Sequence, residues 1–286
     1  MPKSKKNSGS ESPFTLGSFR AMMERSMNSG ISKAKPADED RAQQLVYDAM
    51  EASSPTKQLG LIRQALDLDP ENVDALLMLL EAADPDIEER VATLCGIVEI
   101  GESKLGKEAF EELVPHFWGH LETRPYMRAR QALAMALLEV GLLDEAAQSC
   151  AEMLALNEGD NQGMRFTLLA LLLALKRLDE ALALMDRFPD DCEWNVVFSW
   201  GRVLYRLLAE GPEAAAGALI AARKQNPHIE IYLTDRRRLP KTSPGLYAPG
   251  SKEEAVCYAD LLMLAWQSHP KAVIWLRNSA PGRDAK

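Results

Sequence analysis

The chain has few aromatic residues, no closely spaced cysteines and no long apolar run, and each shortage removes a class of protein. Aromatics are 6% of the 286 residues while Ala and Leu abound, a mixture that suits helices, where Ala and Leu lose least backbone and side-chain freedom. No stretch sustains the two-residue alternation of β-branched residues that a strand needs. Cys95, Cys150, Cys192 and Cys257 lie 55, 42 and 65 residues apart with no C-x-x-C pair, which excludes a zinc ribbon. The apolar flanks of Cys95 and Cys257 point to free buried thiols and a reducing, cytoplasmic compartment. The longest apolar run, Phe166 to Leu175, ends at Lys176 and Arg177, about half of the ~20 residues that span a bilayer. A buried helix and no membrane span are expected. The basic N-terminus has no apolar stretch behind it, so no secretory signal is expected either.

The net charge of −9 argues against a general DNA binder, whose contact surface must be positive. The charge is uneven. Residues 1–36 hold seven Lys and Arg (Lys3, Lys5, Lys6, Arg20, Arg25, Lys33, Lys35) against Glu11 and Glu24, and subtracting that +5 from −9 leaves −14 for the rest. Such a basic tail can dock on its own acidic body, on an acidic partner or on a membrane surface. Within it, Phe14, Leu16, Phe19, Met22, Met23 and Met27 suit a short amphipathic helix, in a segment otherwise expected to be disordered. Arg236-Arg237-Arg238 is the remaining basic cluster, and three arginines alone do not carry an RNA-binding reading.

From residue 38 the pattern is helix, short turn, helix, and it repeats. Gly141-Leu142-Leu143-Asp144-Glu145-Ala146, Lys176-Arg177-Leu178-Asp179-Glu180-Ala181 and Gly211-Pro212-Glu213-Ala214-Ala215 set Ala146, Ala181 and Ala215 at intervals of 35 and 34. Each alanine falls where the second helix of a pair crosses the first closely. The same period in the earlier part sets Gln58 and Ala92 34 apart, and the register then breaks between Gly101 and Arg124. The boundaries read as a tail 1–37, degenerate repeats and an insertion 38–123, clearer repeats 124–228, a helical cap 229–278 and a tail 279–286.

Catalytic signatures are thin. Gly101-Glu102-Ser103-Lys104-Leu105-Gly106-Lys107-Glu108 has the glycines and lysine of a phosphate loop, but Glu108 stands where Ser or Thr must hold magnesium. No G-x-S-x-G elbow or triad order is present. Glu112, His116 and His120, at i, i+4 and i+8, would share one face of a continuous helix and could converge on a metal. That constellation supplies the alternative reading, a metal-dependent enzyme or metal sensor, with Pro115 as the obstacle to its helix. No cofactor is expected on the main reading.

The crossing alanines, the turn residues and Ala65-Leu66-Asp67-Leu68-Asp69-Pro70 resemble the tetratricopeptide repeat, although Arg130 and Arg165 stand where an early aromatic belongs. Residues from about 122 to 276 are also similar to the suppressor of tumorigenicity 7 family, through Arg124-Pro125-Tyr126-Met127-Arg128-Ala129-Arg130, Asp160-Asn161-Gln162-Gly163, Asn226-Pro227-His228 and weaker positions beyond. The resemblance implies an all-α tetratricopeptide-type α-solenoid of about five helix pairs and brings no catalytic residues. In such an array the first helix of each pair lines a concave groove. Register then assigns Arg128, Gln131, Met135, Arg165, Phe166, Leu173, Trp200 and Leu204 to a surface that binds an unidentified protein or peptide. The alternative is that residues 252–266 and 270–277, or the segment from Phe14 to Met27, fill that groove from within the chain.

Overall fold

The computed structural model describes residues 16–28, 37–242 and 244–279. Of the tails expected at 1–37 and 279–286, residues 1–15, 29–36 and 280–286 lie outside the described residues. Among the described residues the regular elements are fifteen α-helices and one 3₁₀ turn, with no strand beyond a single bridge between His116 and Asn157. None of these helices is long and apolar enough to cross a membrane.

The chain divides into two compact units. The first takes the described residues through Leu113 together with Trp118–Arg130. Its helices are α1 (Leu16–Asn28), α2 (Asp38–Met50), α3 (Pro55–Leu68), α4 (Val73–Ala83), α5 (Ile87–Glu112) and the start of α6 (Arg124–Val140). Helix starts follow local chemistry. Asp38, Glu39 and Asp40 open α2 at the positive end of its dipole. Asn72 and Asp86 cap α4 and α5 by accepting from the N–H of Ala75 and Glu89 at 3.0 and 2.9 Å. The core of α2, α3 and α4 gathers Ala42, Val46, Ala49, Ile62, Ala65 and Ala75, and its four alanines let the helix axes approach. Helix α5 buries Leu94, Ile97, Val98 and Gly101. Ala92 is exposed, so the crossing expected there is corrected. The buried i, i+3, i+4, i+7 set on α5 starts two residues later.

The second unit takes Val114–Phe117 and the described residues from Gln131 onward. After α6 it holds α7 (Leu143–Leu156), α8 (Met164–Ala174), α9 (Leu178–Arg187), the short α10 (Asp191–Trp194), α11 (Val196–Ala209), α12 (Pro212–Gln225), the short α13 (Glu230–Leu233), α14 (Lys252–Gln267) and α15 (Pro270–Asn278). Helix α7 packs on α8, α8 on α9 and α11, and α11 on α12. Ala146, Ala181 and Ala215 have no exposed surface. Helices α8 and α11 meet closely at Gly201, where an added Cβ would sit 3.1 Å from the Leu169 side chain. Asp160 and Asn195 cap α8 and α11, accepting from Met164 N–H at 2.7 Å and from Val197 N–H at 2.8 Å.

The turn before α14 depends on one glycine. Gly250 has φ +77°, its N–H donates to Glu254 at 2.7 Å, and a Cβ there would stand 2.8 Å from the Gln225 carbonyl oxygen. Gly250→Ala is therefore expected to cost about 1–3 kcal/mol. The measurement is the urea midpoint. A midpoint equal to that of the parent protein would show that the turn relaxes without strain.

Candidate binding surface

In the second unit the surface shared by α8 and α11 is the one the repeat register assigns to a groove, and α14 packs on both helices. The indoles of Trp200 and Trp266 meet edge to face with centroids 6.4 Å apart. Phe166 stands edge-on to Tyr258 at 5.5 Å and to Phe198 at 5.9 Å. From the turn after α14, His269 Nε2 lies 2.7 Å from the Leu173 carbonyl oxygen. Leu173, Trp200 and Leu204 are 1%, 0% and 0% exposed. Their assignment to an open groove is thus corrected: they are interior residues. The physical reason is that α8 is apolar all round from Phe166 onward, save for the buried Thr167, and α14 packs on it beside α7, α9 and α11.

Glu254 seals this arrangement. Its carboxylate is buried without a cation and accepts instead from Gly250 N–H at 2.7 Å, Asn226 Nδ2 at 2.9 Å, Gln225 Nε2 at 3.3 Å and Val196 N–H at 3.4 Å. Those donors come from the start of α11, the end of α12 and the turn before α14, so one side chain ties three segments together. Trp200 Nε1 donates to the Asn226 carbonyl at 3.3 Å.

The other expected groove residues are held by near neighbours. Arg165 pairs with Asp160 at 2.8 Å and Asp191 at 2.5 Å, and its guanidinium stacks 4.2 Å from the Phe166 ring centroid. Gln131 Oε1 accepts from Gln162 Nε2 at 2.8 Å. Phe166 is half-buried, and Met135 is exposed. Arg236, Arg237 and Arg238 are exposed beyond α13.

Arg128 belongs to the first unit, and there the structure joins it to residues the sequence did not single out. Arg128 is 12% exposed and grips Asp74, 2% exposed, through Nε at 2.8 Å and Nη2 at 2.5 Å. Its Nη1 donates to Glu24 of α1 at 2.9 Å. Arg20, one turn earlier on α1, reaches Asp74 at 3.2 Å, and Gln43 of α2 donates to the same carboxylate at 3.2 Å. Helix α1 thus packs on α2 with charged residues facing inward, joined by Arg25, which pairs with Asp48 at 2.7 Å and lies over the Tyr47 ring.

Burial alone would raise the Asp74 carboxyl, but the charge and hydrogen bonds of Arg128, with help from Arg20, hold it below the ordinary carboxylate range. The Tyr47 phenol is pushed up to about 12 by burial and by the negative Glu24 and Asp74 nearby. A cleft of about 710 Å³ adjoins the pair, lined by Glu39, Asp69, Lys104, His120, Tyr126 and Arg128 among others. Lys104 and Asp69 bridge at 2.8 Å on its wall. One sequence signal was available for Asp74: a lone acid in the apolar run Val73-Asp74-Ala75-Leu76-Leu77.

The Glu112, His116 and His120 helix does not form. Helix α5 ends at Glu112, a cis bond precedes Pro115, and Phe117–Gly119 is a 3₁₀ turn. Among the described residues no three His, Cys, Asp or Glu side chains gather as a metal site. The Gly101 to Glu108 stretch runs inside α5 and is interrupted only at Gly106, so it makes no strand-to-helix phosphate loop.

Compared with protein-family models, with curated proteins and with solved structures, the chain matches none. The class that the structure itself defines is an all-helical protein with a buried ion-paired cluster beside a cleft of mixed polar and apolar lining.

Proposed function

We propose that the chain is a non-catalytic scaffold or adaptor of tetratricopeptide type. Its ligand is a helix or extended peptide of a partner protein, bound on the α2–α4 face of the first unit, with Asp74 and Arg128 as the recognition pair. The observation that carries this reading is the way α1 is held. A separate helix lies on that face through Arg20 and Glu24, one turn apart, which meet Asp74 and Arg128 with opposite charges. A partner segment with a basic and an acidic side chain one turn apart would make the same contacts. The resemblance to tetratricopeptide proteins and to the suppressor of tumorigenicity 7 family accords with a scaffold. The apolar surface around Trp200 is covered by α14, and the ion-paired face is the one that serves binding.

A synthetic peptide of residues 13–28 tests this against the full chain and a chain lacking residues 1–36. The shortened protein is expected to bind the peptide, and the full chain far less, because its own α1 competes. Asp74→Asn should weaken binding roughly tenfold or more, since it removes charge-assisted hydrogen bonds. A partner retained from native lysate by the shortened chain should be displaced by the same peptide. A folded shortened chain that ignores the peptide would reduce the α1 contact to internal packing.

A further inference from the structure

We propose that the outward face of α1 docks on an anionic lipid surface. Helix α1 is turned inside out for a helix that packs on a protein. Arg20, Glu24 and Arg25 are tied to the body by ion pairs, while Phe19, Met22, Met23 and Met27 are 48%, 45%, 47% and 46% exposed. These four recur at i, i+3, i+4 and i+8, a stripe covering roughly 140° of the helix circumference. The helix is about 20 Å long at 1.5 Å per residue. Arg124 reaches the Met27 sulfur at 3.9 Å at one edge of this stripe, while Phe19, Met22 and Met23, on a helix whose own charges are already engaged, lack a covering element among the described residues.

Charge selects the occupant. The helix lies in a strongly basic part of the chain: with Arg20, Glu24 and Arg25 set aside as paired, Lys3, Lys5 and Lys6 before it and Lys33 and Lys35 after it stand against Glu11 alone, a sum of +4. A fitting partner is therefore apolar beneath and negatively charged above, and its charges need no fixed positions, because the lysines are spread along the sequence on both sides. A single helix surface is convex. A rigid protein partner would have to supply a matching groove, whereas a lipid interface deforms around the helix and admits it to a depth of about 5–10 Å. Four side chains alone make a weak anchor, and basic residues beside them strengthen it on an anionic leaflet. Phe19, Met22 and Met23 lie on a side of α1 turned away from Arg20 and Glu24, so the contact holds whether or not a peptide can replace that helix.

The test is co-sedimentation of the full chain with vesicles of phosphatidylcholine alone and with vesicles enriched in phosphatidylserine. Binding to the anionic vesicles, little to the neutral ones, and weakening as sodium chloride is raised are expected. Phe19→Ser with Met23→Ser should lower the partition on the order of tenfold or more, with only a small shift in the melting temperature, because about half of each side chain is already exposed. Ile274→Ser, which removes an exposed apolar residue of α15, should leave binding unchanged. A parent protein that stays in the supernatant with anionic vesicles would overturn the proposal. So would a Phe19→Ser, Met23→Ser protein that binds as the parent does, which would leave the lysines acting alone. A loss of binding equal to that of the double variant in Ile274→Ser would count against it as well.

Discussion

Arg128→Ala is expected to lower the unfolding free energy by about 3–5 kcal/mol, the cost of leaving buried acids without their cation. Asp74 and Glu24 both lie against this guanidinium, and alanine supplies neither charge nor donor. Asp74 keeps Arg20 and Gln43, while Glu24 keeps only the longer contact to Arg20 at 3.7 Å. The loss should be read in the urea midpoint and in faster amide exchange over α1 and α4. Asp74→Leu with Arg128→Met should recover part of the stability, because the desolvation cost of Asp74 disappears with its charge while Glu24 stays buried beside Arg20 alone. If the single change costs under about 1 kcal/mol, the pair behaves as an exposed salt bridge, and α1 is not held by it.

The same pair predicts a pH dependence of definite sign. Asp74 is held below its ordinary value in the folded chain, so the unfolded chain takes up the proton more readily. The pair's contribution is complete above the ordinary aspartate value of about 4 and is lost as the pH falls through the lower native value. Arg128→Ala releases that hold. The stability gap between the parent and the variant should therefore narrow on acidification, and a gap that widened would assign the depression to another group.

Trp200→Ala is the second large effect, a loss of about 3–5 kcal/mol. The indole has no exposed surface, packs edge to face on Trp266 and donates to the Asn226 carbonyl. Removing it empties the junction of α11 and α14, and the surrounding helices, tied together by Glu254, cannot close over the space. Trp266→Ala should do similar harm, with a coupling energy of about 0.5–1.5 kcal/mol between the two rings. A ligand-contacting tryptophan would behave otherwise: binding would fall while the melting temperature stayed put.

Much of the architecture was legible because it is local. Helix starts at Asp38, Asn72, Asp86 and Asn195 follow from local capping and dipole chemistry, and Ala146, Ala181 and Ala215 are fully buried where the period places them. Ala92 misled because a period of 34 from Gln58 counts residues without weighing which face of α5 is apolar, and Leu94, Ile97 and Val98 outweigh it. The i, i+4, i+8 spacing of Glu112, His116 and His120 has meaning only on an unbroken helix, and Pro115 breaks it.

The sequence by itself determined an all-helical chain, the starts of many of its helices and the basic character of residues 1–36. Each of these depends on neighbours within a few turns or on composition. Only the tertiary structure decided which apolar face stays covered and which charges meet. That α14 lies over α8 and α11, turning Trp200 from a candidate anchor into core, depends on residues some sixty positions apart. The meeting of Glu24, Asp74 and Arg128 spans about a hundred. Periodicity says that a face is apolar or charged. Which partner covers it is settled by packing, where the energy of burying the whole chain outweighs local preference.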